Sequence, residues 1–347
     1  MKIVHIESGL GNQMLSYCEY LAIKKMNPGD DCYIETMVYD IPECNDTICQ
    51  WNGYELKRIF NIDAPNISSL FSNDEWGEIL SEVRDSDFWK KNWNWQEPIM
   101  KSLNARNLNL EVLQDRIGLI NNPSRLQVLI TSLKGTRLGT LIKGIRYKML
   151  EKKGGLNCDN RNNIWIKTNR NILTGQWLSF KLRNNDLELL TDEIEEAFQF
   201  PPIKDERSLN FVDFLDSCNS IFIHARRGDM LSMNGWCYKH GYFRRAVNYM
   251  KKHVENPIFV FFTNPGSVEW CKENGYTFGL DYANDTVYFV DWNSGEDSFR
   301  DMQMMAHCKH GIITNSSFGW WGAYFIKNPG KITISPEVYI NTTHHIY

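Results

Sequence analysis

Lys2-Ile3-Val4-His5-Ile6-Glu7 is a short run rich in β-branched residues, the composition of a buried strand. Ser8-Gly9-Leu10-Gly11 breaks it. From Asn12 to Met26, residues Met14, Leu15, Cys18, Leu21 and Ala22 are spaced to share one helical face. Pro28-Gly29 stops that helix. Strand, glycine turn and helix make the opening unit of a doubly wound α/β domain. Met14 stands where a third glycine would complete GxGxxG, so the turn is a weak dinucleotide fingerprint.

The pattern is poor from about Asp40 to Asn171 and then becomes regular. A helix is expected over 186–198, stopped by Pro201-Pro202. Beyond it, strands are expected at 220–225, 257–263, 286–291, 311–314 and 331–335. Helices are expected at 208–218, 241–253, 267–274, 298–310 and 317–327. Such alternation implies a mostly parallel sheet covered on both faces. The fold class is α/β, in two parts: residues 1–200 and residues 201–347. In such sheets ligands bind beyond the carboxyl ends of the strands.

The chain's 347 residues suit two domains, and its 42% hydrophobic content excludes wholesale disorder. Its 38 basic and 42 acidic residues leave a net charge of -4, which is no footprint for duplex nucleic acid. No apolar run is long enough for a membrane span, and Met1–Gly11 is too polar for a signal peptide. A cytoplasmic protein is expected, with peripheral contact at a membrane open through the basic stretch 126–150. The nine Cys are read as free thiols, and the Asn-x-Ser/Thr triplets at Asn45 and Asn66 as chance. The 12 Trp and 34 Asn suit a carbohydrate-facing surface.

The strand ends carry the chemistry. His224-Ala225-Arg226-Arg227-Gly228-Asp229 follows a buried strand directly. An inward Arg needs an anionic partner, and a guanidinium matches phosphate in a bidentate way. The alternative is an ion pair of Arg226 or Arg227 with Asp229. Thr263-Asn264-Pro265-Gly266 and Asp291-Trp292-Asn293 are strand ends that could simply cap the next helix. Asn315-Ser316-Ser317-Phe318 sits where a strand hands over to a helix, and a helix start with hydroxyls beside it can hold an anion. Met302, Met304 and Met305 read as core.

Gly9-Leu10-Gly11-Asn12-Gln13-Met14, His224–Asp229 and Cys308-Lys309-His310 through Ala323 together resemble the signatures of the α-1,2-fucosyltransferases, glycosyltransferase family 11. Phe262 to Lys272 resembles the family's middle motif. Gly53-Tyr54-Glu55-Leu56 and Gly175-Gln176-Trp177 are weaker echoes. Residues 66–170 are much less similar, so acceptor choice is not carried over. The resemblance implies a metal-independent, inverting enzyme of GT-B type, two Rossmann-like domains about a cleft, with no cofactor. It would move L-fucose from GDP-L-fucose to the 2-hydroxyl of a terminal β-galactoside. Residues 201–347 would bind the donor, and residues 1–200 would serve the galactose-terminated acceptor. By motif, Arg226 would hold the β-phosphate, assisted by Arg227. His224, Thr263, Asp301, Asn315, Ser316, Ser317 and Phe318 would line the nucleotide site. Asn12, with Gly9 and Gly11, would reach the sugar–phosphate region, and Asp229 joins Arg226 and Asn12 among the catalytic candidates.

Metal-like patterns are better read otherwise. Asp85-Ser86-Asp87 is a chance DxD, Asp30-Asp31 a turn, and His307 with His310 a helix end. Asp229, Glu7 and His5 stay open as bases for the acceptor proton. Trp320 and Trp321 read as core, while Trp89, Trp93 and Trp95 are the expected acceptor-stacking residues.

Overall fold

The computed structural model describes residues 1–48, 52–91, 93–112, 166–175, 187–228 and 231–336. Asp229, Gln176, Trp177, the basic stretch 126–150 and His344-His345 lie outside them. The described residues form two compact units that divide between Gln199 and Phe200.

The first unit carries a parallel four-stranded sheet in the order β2-β1-β4-β3. The strands are β1 (Lys2–His5), β2 (Cys32–Glu35), β3 (Glu111–Val112) and β4 (Ile172–Thr174). The expected first helix runs Leu10–Met26, starting two residues early. Asn27 rather than Pro28 closes it: its N–H and side-chain amide both bond carbonyls of the last turn. Ile3 and Leu173 pack with Met37, Ile79, Trp95 and Ile99 on one face of this sheet.

The second unit carries a parallel five-stranded sheet in the order β7-β6-β5-β8-β9. Its strands are β5 (Ser220–His224), β6 (Ile258–Phe262), β7 (Val287–Val290), β8 (His310–Ile312) and β9 (Thr333–Ile334). Side chains alternate across β5 as a strand requires. Ile221 and Ile223 enter one core with Phe243, Val247 and Phe261. Phe222 enters the opposite core with Val260, Met304, Met305 and Ala323. Each fully buried side chain of this kind stabilises by about 1.5–3 kcal/mol. Helices on both faces follow from strands that are apolar on both sides.

The expected strands and helices of this unit are all present, mostly shorter by one to three residues. The helix expected over 298–310 ends at His307, because His310 opens β8. The sequence pattern missed the helix Leu231–Lys239 and the turn-long helix Gly275–Phe278. Two close approaches tighten the packing, one between the paired strands β5 and β8 and one between the helices Phe299–His307 and Ser317–Phe325. A Cβ at Gly311 would meet the Phe222 ring at 2.6 Å, and one at Gly322 would meet the Met305 Sδ at 2.7 Å. Met302, Met304 and Met305 are core.

Both sheets have a point where strand order reverses: between β1 and β4 in the first, and between β5 and β8 in the second. Such points leave a crevice beyond the strands' carboxyl ends.

Candidate functional site

In the second unit, His224 ends β5, and Thr314-Asn315 follows β8 across the reversal point. His224 is buried, and its Nδ1 has no hydrogen-bond partner. The Thr314 hydroxyl is buried and unpartnered as well. Native proteins rarely leave buried polar atoms unpaired, since each costs about 1–3 kcal/mol. Both orphans sit beyond the two strands that flank one strand-order reversal. Burial, and then the charge of Arg226, lowers the His224 pKa to about 3, so the imidazole is neutral.

The Ser317–Phe325 helix starts beside them. Ser316 is its N-cap, with extended backbone and no side-chain capping bond. The first-turn amides of a helix have no carbonyl of their own helix to bond and favour an anion. The helix lies against His224 through Gly319, where any Cβ would overlap the imidazole Nδ1. The Phe318 ring centroid is 5.8 Å from that of His224. At the other end of the helix, the Lys331 ammonium bonds the carbonyls of Ala323, Tyr324 and Ile326 at 2.9–3.1 Å. That cation complements the helix dipole. Trp321 is core, as expected, and Trp320 is half-buried.

The two arginines after β5 have different surroundings. Both are half-buried. The Arg227 guanidinium lies 3.3 Å over the Trp270 ring and 5.0 Å from the Tyr238 ring centre. Aromatic rings thus flank its charge. A guanidinium stacks well because it is planar and weakly hydrated. Thr263 does not cap a helix; its hydroxyl donates to the Ala225 carbonyl at 2.8 Å.

Asp301 opens the Phe299–His307 helix and accepts a 2.7 Å bond from the Asn293 amide. Burial raises its pKa to about 7, against that bond, so its proton exchanges near neutrality. The sequence had given Asn293 only a capping role. Thr314 was missed because an isolated Thr beside a strand carries no motif.

The first unit places Gly9, Gly11 and Asn12 at the start of the Leu10–Met26 helix. The left-handed residue of the turn is Ser8, at φ 71°, not a glycine. The Asn12 side chain donates to the Ser8 hydroxyl at 2.9 Å. Gln13, fully buried, donates to the carbonyls of Ser8 and Gly53 and accepts from the Glu55 amide, at 2.8–2.9 Å. The glycine turn and the Gly53–Leu56 echo are thus one assembly.

At this unit's own reversal point, His5 is buried between two carboxylates. Its Nδ1 bonds Glu35, and its Nε2 lies 3.2 Å from Glu7. Burial opposes the charge, but Glu35 and then Glu7 outweigh it and raise the imidazole pKa to about 9. Trp95 stacks on the ring with centroids 3.8 Å apart, and the Trp93 indole donates to Glu7. Trp93 and Trp95 are therefore core, which corrects the expectation that they stack on an acceptor. The aromatic content of the stretch misled, because several of its Trp fill the helical face of the sheet. Trp89 is half-buried and is the one of the three with accessible surface. Glu7 and His5 are too enclosed to meet a substrate directly.

The metal-like residues have other partners. Asp30 pairs with the buried Lys2 at 2.6 Å, Asp87 with Lys90 at 2.9 Å, and His307 with Asp216 at 3.0 Å. The His310 Nδ1 accepts from the Ile332 amide at 3.0 Å. Among the described residues no cluster of three His, Cys, Asp or Glu is placed to hold a metal. Seven cysteines among them are free thiols.

Arg226, the helix start and the two orphaned polar atoms all lie in one stretch of the chain. The model of "Glycosyl transferase family 11" matches residues 179–345, a span that includes every one of these groups. This segment is family 11 sequence. An alpha-1,2-colitosyltransferase of Escherichia coli is 35% identical over 130 residues, 36% of this chain and 42% of the relative. The human galactoside alpha-(1,2)-fucosyltransferase 1 is 32% identical over 107 residues, 29% of this chain and 27% of the relative. The chain thus spans less than half the length of the curated relatives it matches. A solved fucosyltransferase, NodZ from Bradyrhizobium, aligns over 95% of this chain and 96% of its own, at 12% identity and TM-score 0.42. Among the described residues no helix is long and apolar enough to cross a membrane.

Proposed function

We propose that the chain transfers L-fucose from GDP-L-fucose to the 2-hydroxyl of a terminal β-galactoside, with inversion and without a metal or other cofactor. The observation that carries this reading is the reversal point between β5 and β8. There the unpartnered His224 Nδ1 and Thr314 hydroxyl adjoin Arg226 and the start of the Ser317–Phe325 helix. The ligand that suits it brings a dense negative charge and further hydrogen-bonding groups, as a nucleoside diphosphate sugar does. The relatives' names, alpha-1,2-colitosyl- and alpha-(1,2)-fucosyltransferase, supply the class of reaction.

Cleaving the sugar–phosphate bond leaves growing negative charge on the diphosphate and positive charge on the sugar ring. Arg226 and the helix start would stabilise the first of these. They need no proton and no reorganisation at the moment of reaction. Ser316, Ser317 and Asn315 would complete the phosphate and nucleotide contacts, and Asp301 would bind an edge of the base. In a strongly dissociative reaction the acceptor proton leaves late, so a strong base is dispensable. We assign acceptor recognition to the first unit.

The test is turnover of GDP-fucose with lactose, for wild type and Arg226→Ala. A loss on the order of 100–1000-fold is expected for the variant. Undiminished turnover would remove Arg226 from the mechanism. EDTA should leave the wild-type rate unchanged, and NMR of the product should show an α-1,2 link. A second reading, transfer of another sugar from its GDP form, draws on the colitosyl relative. Competition between GDP-fucose and other GDP-sugars decides it.

A further inference from the structure

Three successive residues after β5 are held from two flanking segments, the loop that follows β6 and the Leu231–Lys239 helix. The Ala225 carbonyl accepts from the Thr263 hydroxyl at 2.8 Å. The Arg226 carbonyl accepts from the Tyr238 hydroxyl at 3.0 Å. The Arg227 N–H donates to the Asn264 side-chain oxygen at 2.9 Å. Beyond the backbone, the Arg227 guanidinium stacks on Trp270 and lies 5.0 Å from Tyr238, whose ring meets that of Trp270 edge-on. Gly228 then turns with φ 50° against the Asn264 amide, which a Cβ there would approach to 2.6 Å.

Left to itself, a strand end that leads into a glycine would be a loop with freedom at every residue. Here the peptide units on both sides of the Arg226 Cα are bonded to side chains of the flanking elements. Fixing those units presets the direction in which the Arg226 side chain leaves the backbone. Tyr238 suits the task, because burial raises its pKa well above that of a free phenol and it remains an O–H donor. Trp270 suits it too: it stands on the Val268–Glu273 helix, directly after the loop that carries Asn264.

We propose that Tyr238 and Trp270 are positioning residues for Arg226, with Arg227 as the strut between them. This rests on the reading of Arg226 as the diphosphate-binding group. Pre-organisation of this kind lets a charged group act without paying for its own ordering at each turnover.

The test uses Tyr238→Phe, Trp270→Ala and Trp270→Phe, with two measurements. Hydrogen exchange at the Arg227 amide reports the order of the segment without any ligand. Calorimetry with GDP reports the site. Tyr238→Phe is expected to speed exchange and to weaken GDP about fivefold, the effect of one hydrogen bond. Trp270→Ala is expected to weaken GDP about tenfold, and Trp270→Phe to recover most of that by keeping a π face. In an Arg226→Ala background, Tyr238→Phe should cost almost nothing further, since the two act as one. Tyr238→Phe removes one oxygen and keeps the ring, so it remains informative if Trp270→Ala does not fold. GDP affinity that stays at wild type in Tyr238→Phe overturns the proposal, whether or not exchange speeds up. So does an equal loss in the Arg226→Ala background. Wild-type protein that fails to bind GDP overturns the functional reading instead, and exchange then judges the pinning by itself.

Discussion

Each unit places a buried histidine at the carboxyl end of the strand where strand order reverses, and the two are in opposite states. His5, at the end of β1, sits between Glu35 and Glu7 and is held as the cation, with a pKa of about 9. His224, at the end of β5, has Arg226 for a neighbour and is held neutral, with a pKa of about 3. The difference extends to the crevice. In the first unit Trp95 and Gly175 pack against His5 and close it, and both ring nitrogens are bonded. In the second unit the histidine Nδ1 and the nearby Thr314 hydroxyl are left without partners. The same topology thus encloses a charged histidine in one unit and a neutral one in the other, and the charged neighbours decide which.

The largest expected effect that could break this comparison is at Glu35. Glu35→Gln would leave the buried imidazolium short of one anion, at a cost of about 3–5 kcal/mol. Urea unfolding measures it, and a loss below about 1 kcal/mol would mean that His5 is not a structural cation.

Changing pH reaches the same contrast without mutation. The His5 contribution is complete below the ordinary histidine pKa of 6.5 and disappears as pH rises through about 9. The His224 contribution is complete above 6.5 and is lost as pH falls toward about 3. Their combined contribution should therefore be greatest near pH 6.5 and decline on both sides. His5→Gln should flatten the alkaline limb and His224→Gln the acid limb. The reverse assignment would overturn the charge states given above.

A smaller pair of effects sharpens the contrast between the crevices. Gly319→Ala would drive a methyl into the His224 ring, and Gly175→Ala would drive one into His5 and Trp95. Each overpacking should cost about 1–3 kcal/mol. Only Gly319→Ala should also weaken GDP binding, read by calorimetry. Equal weakening by both would erase the distinction. The smallest effect is Lys331→Met, which removes the cation from the end of the Ser317–Phe325 helix. It should lower stability by about 0.3–1 kcal/mol, measured as the urea midpoint.

Much of the second unit was legible because its strands are apolar on both faces and polar residues follow each strand end. Phe222 and Ile223 alternate between two cores, and that pattern is local. The Leu231–Lys239 helix was not legible, since it follows the Arg226–Gly228 turn with no periodic apolar stripe to announce it. It nevertheless brings Tyr238 to the Arg226 carbonyl. In the first unit the aromatic residues Trp93 and Trp95 looked like surface for a sugar and proved to be core. Composition counts side chains but does not say which face of the sheet they cover.

By itself the sequence determined the opening strand and helix, the alternation of strands with most of the helices in the second unit, the strand ends that carry polar residues, and the motifs that resemble family 11. Those depend on neighbours along the chain: period, glycine and proline positions, and short fixed spacings. Only the tertiary structure decided the charge of His5 and His224, the aromatic rings beside Arg227, and the two orphaned atoms at the β5–β8 crevice. Each of these depends on groups tens of residues apart, whose burial and distance set the electrostatics, and no local pattern encodes that.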